Sequence, residues 1–301
     1  MKRILIAYDG TTGAEIAIKD MTRAGFGDRD EAKVVSFADV WLPPAPDIES
    51  PDRARFESAH QNATELLREA QQIAVAGARL VHSTFPNWTV SNVAKADSPA
   101  WGIIAEARNW PADLVVIGSH GRTPLERFFL GSVSAKVTAE APCSVRIVRP
   151  HEHVHAPPVI VIAVDGSADA QIAVEESLSR KWKAGTEIHL VTIVDPKLRT
   201  AVLRRGSTAT LQRIEDFIGP VLEDFRGKFS ALGVKAETHI LEGEPKATLL
   251  SQAAKWKADA IFLGARGLEH GNRLYLGTLA SAISSRAHCS VEIVRPPPKM
   301  S

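Results

Sequence analysis

The 301-residue sequence has only two cysteines, Cys143 and Cys289, which rules out a disulfide scaffold and fits a reducing compartment. It has almost no net charge. Thirty-six Lys and Arg against 35 Asp and Glu leave +1, so composition predicts neither a nucleic-acid partner nor an anionic membrane surface. No apolar run approaches the roughly 18 residues of a membrane span. The Gly-x4-Gly-Lys-Ser/Thr phosphate loop is missing, and with it the lysine that neutralises charge developing on a transferred phosphoryl group. The opening residues, Met1-Lys-Arg-Ile-Leu-Ile-Ala-Tyr-Asp9, have an apolar core too short for a signal peptide and read as a first strand. With 45% hydrophobic and 24% charged residues, the expectation is a globular cytoplasmic protein of two domains.

What the sequence does contain, it contains twice. Gly118-Ser-His-Gly121-Arg-Thr-Pro-Leu-Glu-Arg-Phe-Phe-Leu-Gly131-Ser132 follows a short β-branched run, Asp113-Leu-Val-Val-Ile117, and precedes a helical segment from Val133 to Glu140. Gly264-Ala-Arg-Gly267-Leu-Glu-His-Gly-Asn-Arg-Leu-Tyr-Leu-Gly277-Thr278 repeats that spacing after Ala260-Ile-Phe-Leu263. Glycine lets a backbone turn at positive φ and approach a bulky anion closely. Free N–H groups at the start of the following helix, with the positive end of its dipole, favour phosphate.

An offset of 146 carries Cys143 to Cys289, Pro99 to Pro245 and Arg149-Pro150 to Arg295-Pro296. An offset of 156 carries Asp9-Gly10-Thr11 to Asp165-Gly166-Ser167 and Asp39 to Asp195. The chain is therefore a duplicated domain. The extra ten residues of the first half fall in the proline-rich stretch Trp41 to Pro51. Residues 1–150 form one unit and 159–301 the other. The stiff, proline-rich linker 151–158 carries His151, His153 and His155, read as solvated because no nearby cysteine or carboxylate cluster completes a metal shell.

Each half alternates strand and helix. The strands are expected at Arg3–Asp9, Lys33–Asp39, Trp88–Lys95, Asp113–Ile117 and Ser144–Val148. In the second half they are expected at Val159–Val164, Glu187–Val194, Val234–Leu241, Ala258–Leu263 and Ser290–Val294. A long helix is expected from about Ala54 to Val81; the apolar stretch Ala78–Phe85 competes as a strand, and the 146 offset decides for Trp88–Lys95. The fold class is α/β, with two tandem doubly wound, Rossmann-like domains of five parallel strands. Ligands then sit at the carboxyl ends of strands one and four, where Asp9 and Gly118 lie.

A domain opening with apolar-Asp-Gly-Ser/Thr and closing with Gly-x2-Gly-x9-Gly-Ser/Thr resembles the universal stress proteins, of the adenine-nucleotide-hydrolase-like fold. Both halves match, so the chain resembles a tandem member of the ATP-binding branch. The resemblance implies that Gly118, Gly121, Gly131, Ser132 and Val133 wrap the phosphates and ribose of one ATP, and Gly264, Gly267, Gly277, Thr278 and Leu279 those of another. Asp9 and Asp165 would sit at the adenosine end or help to hold magnesium. The backbones of Ala7, Tyr8, Ala163 and Val164 would border the base. Where the family usually has a valine against adenine, this chain has Phe37 and Ile193. Ile193 is conservative; Phe37 is much larger and bears on the shape of the first pocket. The resemblance also implies pairing of the two halves through Ser144–Val148 and Ser290–Val294 as an internal pseudo-dimer. A homodimer and a protein partner remain open.

Several residues have a plainer reading beside the functional one. The first helix is expected from Thr11 to about Arg23, capped by Thr11 or Thr12; Asp9 and Asp165 also suit helix caps, as do Ser132 and Thr278. Arg122 and Arg266 sit where a guanidinium pairs with phosphate or with solvent. Cys143 and Cys289 read as small core residues. No general base is paired with a nucleophile in the repeated motif, so the expected function is a nucleotide-dependent regulator or sensor in stress response, without fast catalysis. A slow ATPase or transferase and a nucleotide-free dimerising scaffold are the alternatives. The stretch Trp41 to Pro51, present in one half only, is expected to act as a lid or a partner contact.

Overall fold

A computed structural model describes residues 1–40, 53–120, 130–150, 157–195, 209–267 and 276–296, with backbone alone for 53–56 and 209–215. The proline-rich insertion, Gly121, Arg122 and the linker histidines lie outside the described residues. The first half runs β1 (Arg3–Ala7), α1 (Thr12–Asp20), a 3-10 turn (Met21–Arg23), β2 (Glu31–Ala38), α2 (Arg53–Thr84), β3 (Thr89–Ala96), α3 (Pro99–Asn109), β4 (Leu114–Gly118), α4 (Ser132–Glu140) and β5 (Ser144–Val148). The second runs β6 (Val159–Ala163), α5 (Ala168–Leu178), β7 (Glu187–Val194), α6 (Ala209–Ala231), β8 (Lys235–Glu242), α7 (Pro245–Lys255), β9 (Ala260–Gly264), α8 (Thr278–Arg286) and β10 (Ser290–Val294). The competing apolar stretch belongs to the end of α2. There Val81 is buried and Phe85 stacks on Trp88 at 4.1 Å, while β3 pairs with β2 over eight positions.

The ten strands of the described residues form one sheet, in the order β3-β2-β1-β4-β5-β10-β9-β6-β7-β8. Pairing is parallel within each half. It is antiparallel only between β5 and β10, where Arg146 faces Glu292. One face of the sheet carries a single apolar core that runs through both halves, from Leu5, Val115 and Ile147 to Val161, Ile261 and Ile293, under α3, α4, α7 and α8. The other face has two separate cores, one beneath α1 and α2 and one beneath α5 and α6.

Two sets of polar contacts fix the junction. Arg149 and Arg295, equivalent at the 146 offset, reach reciprocally across it. Arg149 donates to the carbonyls of Ser284 and Cys289, and Arg295 to those of Thr138 and Cys143. Their backbone N–H groups add matching bonds to Ser290 Oγ (3.2 Å) and Ser144 Oγ (3.1 Å). Each guanidinium thus satisfies carbonyls at or after the end of the other half's last helix, where the dipole favours a cation. The second set is charged and buried. Arg146 binds Asp20 (2.7 Å) and Glu292 (3.0 Å), while Glu292 also takes Arg180. Arg23 crosses to Asp259 at 2.8 Å, and Lys2 to Glu176 at 2.6 Å. Burial alone would lower the Arg146 pKa, but the charges of Asp20 and Glu292 outweigh it and the net direction is upward. Burial pushes the Cys143 and Cys289 thiols up to about 12, so neither is a thiolate at neutral pH.

Candidate functional site

The sharp turn from β1 into α1 is made by Gly10 at φ +79°, and its repeat by Gly166 at φ +81°; only glycine takes this conformation cheaply. The helix caps are Thr11 and Ser167, whose hydroxyls accept from Ala14 (3.3 Å) and Ala170 (3.1 Å) N–H groups. Asp9 and Asp165 are therefore not the caps. Asp9 braces the cap, accepting from Thr11 N (3.1 Å) and Thr11 Oγ1 (2.6 Å), and Asp165 accepts from Ser167 N (2.9 Å). The second Asp165 oxygen lies against the glycine loop: a Cβ on Gly267 would stand 2.8 Å from it.

β4 and β9 deliver the glycine loops beside these turns, because β1 pairs with β4 and β6 with β9. A Cβ on Gly118 would stand 3.2 Å from the Gly13 carbonyl oxygen, and one on Gly264 only 2.6 Å from the Asp169 carbonyl carbon. These two glycines let the strand end meet the first turn of the neighbouring helix. Gly131 and Gly277 have another task. Each is the N-cap residue of α4 or α8, with extended φ near −60° and no side-chain cap bond, and each loop is closed by an N–H bond to Ser119 or Ala265. Ser132 and Thr278 are thus the first helical residues and not caps. Both are exposed, with Val133 and Leu279 half-buried behind them. A glycine cap leaves the first N–H groups of the helix without a side-chain acceptor.

Around these loop ends lie half-buried apolar groups. Ala7, Phe37, Leu130 and Val133 pack on the shared core in the first half, and Ala163, Ile193, Leu276 and Leu279 in the second. Phe37 leans into α3, where a Cβ on Gly102 would stand 2.3 Å from its ring; the equivalent of Gly102 is Thr248, which goes with the smaller Ile193. The bulk of Phe37 is accommodated by the notch at Gly102. Tyr8 turns its ring under α2, where a Cβ on Gly77 would stand 2.6 Å away, and burial, with Glu15 and Asp9 nearby, raises its pKa. The N–H groups of Tyr8 and Val164 are used by the sheet, and the Val164 carbonyl accepts from Thr192 at 2.6 Å.

The two halves differ in the groups beside these loops. In the second, the half-buried Arg266 makes a two-pronged pair with Asp169, both contacts at 2.8 Å. The Asp169 bond raises the Arg266 pKa. In the first, the equivalents are Gly13 and His120, and the His120 Nδ1 lies 3.1 Å from Ser119 Oγ. The sequence aligns His120 with Arg266 at the 146 offset, but the exchange of Gly13 for Asp169 at the 156 offset, and the pairing it makes, was missed.

The model of the universal stress protein family matches residues 1–149 and again 158–295. The chain belongs to the universal stress protein family. A universal stress protein of Methanocaldococcus jannaschii is 29% identical over 141 residues, covering 46% of this chain and 83% of that one. A putative universal stress protein of Staphylococcus epidermidis is 31% identical over 138 residues, covering 45% of this chain and 82% of that one. Among solved structures, a universal stress protein from Archaeoglobus fulgidus covers 99% of this chain and 98% of its own, at 21% identity and a TM-score of 0.60. A putative universal stress protein from Pseudomonas aeruginosa covers 99% and 94%, at 17% identity and a TM-score of 0.61. These two likenesses concern the fold of a two-domain universal stress protein. Among the described residues, no helix is long and apolar enough to cross a membrane.

Proposed function

We propose that this universal stress protein binds an adenine nucleotide in each half, ATP with magnesium, and works in the cytoplasm as a nucleotide-dependent regulator of a stress response. The observation that carries the reading is the repeated pairing of a glycine-capped helix start, Gly131 or Gly277, with an Asp-Gly-hydroxyl turn at the switch point of a doubly wound sheet. The first N–H groups of α4 and α8 would take the phosphates. The apolar groups around Phe37 and Ile193 would lie against the base and ribose. Asp9 and Asp165 would reach a magnesium ion that arrives with the phosphates, which suits an ion usually held by one or two carboxylates plus phosphate oxygens. Fast phosphoryl transfer is not part of the proposal, because the motif supplies no lysine to the phosphates and no base to a water.

The halves serve as an internal pseudo-dimer in this reading. Arg146 and Glu292 are repeat equivalents, so a homotypic pairing in the same register would put Arg against Arg or Glu against Glu; their opposite charges favour pairing within one chain. The sites are expected to be unequal, since the second has the Asp169–Arg266 pair and the first has Gly13 and His120.

Calorimetric titration of the full chain with ATP, ADP, AMP and cyclic AMP, each with and without magnesium, tests this. The expected result is two unequal sites, with magnesium tightening ATP but not AMP. No heat at millimolar nucleotide would leave the dimerising scaffold as the better reading.

A further inference from the structure

The largest cluster of metal-ligating side chains among the described residues lies away from the clefts. His189 is the third residue of β7, whose carboxyl end is Val194, and Glu237 and His239 belong to the neighbouring strand β8. The register sets Glu237 beside His189 and His239 beside Val191, on the sheet face under α7. His189 Nδ1 and His239 Nε2 are 2.9 Å apart. A single oxygen, Glu237 Oε2, lies 3.8 Å from the first and 3.9 Å from the second. A triangle with those sides has a circumradius of about 2.1 Å, so one point is equidistant from all three donors at the bond length of zinc to imidazole or carboxylate.

We infer that His189, Glu237 and His239 form a divalent transition-metal site, of zinc type, with three protein ligands and one position open to water. Nitrogen and carboxylate donors suit zinc, cobalt or nickel rather than calcium or magnesium. The surroundings hold the ligands in place. Trp256 stacks on His189 at 4.4 Å with the rings 6° from parallel, and Lys235 takes the other Glu237 oxygen at 3.2 Å and Glu187 at 3.1 Å. His189 is buried, while His239 and Glu237 are part-exposed and leave a way in. At 2.9 Å the two imidazole nitrogens share a hydrogen bond in which one ring N–H donates, so a bound metal would take the place of that proton.

The repeat supplies a comparison. The equivalents of His189, Glu237, His239 and Trp256 are Lys33, Ser91, Val93 and Trp110. There the Lys33 ammonium stands 4.8 Å over the Trp110 ring and bonds Glu106 at 3.0 Å. The place that holds a built-in cation in the first half is lined by metal ligands in the second. A bound ion would join the outermost strand of the second half to its neighbour.

The test is a titration of the chelator-treated, desalted full chain with Co2+, read by its visible ligand-field bands and repeated with Zn2+ as competitor. The expected result is one Co2+ per chain, displaced by Zn2+. His239→Gln and Glu237→Gln should each weaken binding at least about tenfold while leaving the metal-free melting temperature within about 2 °C of wild type. Replacing His151, His153 and His155 together by glutamine should change nothing. Zn2+ should raise the melting temperature of wild type and not of His239→Gln. Absence of binding at about 100 µM Co2+, binding indifferent to His239→Gln and Glu237→Gln, or binding lost in the linker variant would overturn the site. None of these readouts depends on nucleotide, so they stand or fall apart from the cleft.

Discussion

Glu292→Gln should destabilise the protein by about 3–5 kcal/mol in urea unfolding, the cost of leaving one buried positive charge uncompensated. Glu292 is fully buried and is shared by two guanidinium groups, Arg146 from the first half and Arg180 from the second. Glutamine keeps the shape and removes the charge. Asp20 still balances Arg146, and Glu176 still meets Arg180 at 2.7 Å, so each cation keeps a partner but the cluster gains a net positive charge without solvent to disperse it. A loss below about 1 kcal/mol would show that water screens the junction and that the shared apolar core alone joins the halves. The size expected here comes from breaking a network, and does not mean that the network is worth that much against an apolar junction of equal volume.

The second large effect concerns binding. Gly131→Glu should abolish nucleotide binding in the first half, and Gly277→Glu in the second, each by at least about 100-fold, or about 2.7 kcal/mol. Both glycines have ordinary negative φ, so the backbone admits a side chain. A Cβ would stand 3.4 Å from the Ser119 carbonyl oxygen at Gly131 and 3.2 Å from that of Ala265 at Gly277, which needs at most a small shift. What changes is the electrostatics: a carboxylate at the cap position takes the N–H groups meant for phosphate and repels the ligand. Folding stability should stay within about 1 kcal/mol of wild type. Equilibrium dialysis of each single variant reads the loss half by half. Unchanged binding in both variants would separate the glycine caps from the ligand.

Much of this architecture could be read from the residues. Strand and helix placement followed from β-branched runs at regular spacing, and the weak third strand was settled by its alignment to Lys235–Ile240. The glycine motif marked the strand ends beside α1 and α5, but not what each glycine does. Gly118 and Gly264 are needed where backbone meets backbone, which depends on how close α1 and α5 come, and no local pattern carries that distance. The first helix cap was legible as Thr11 or Thr12, and Thr11 takes it, with Ser167 in the repeat; Asp9 and Asp165, which suit the same position, brace the turn instead. The junction charges were hidden for another reason. Arg146 and Glu292 sit in short, otherwise apolar strands, where a lone charge reads as exposed until the partner strand is known. The histidine cluster was equally silent, since His189 and His239 are 50 residues apart and meet only through the register of β7 and β8.

The most direct test of the central claim is native mass spectrometry of the purified full chain, before and after addition of magnesium ATP, with any bound nucleotide extracted and identified. The account predicts up to two nucleotides per chain, one lost in Gly131→Glu and the other in Gly277→Glu, with the chain intact and folded. A chain that stays free of nucleotide at millimolar magnesium ATP, with wild type and both variants alike, would contradict it.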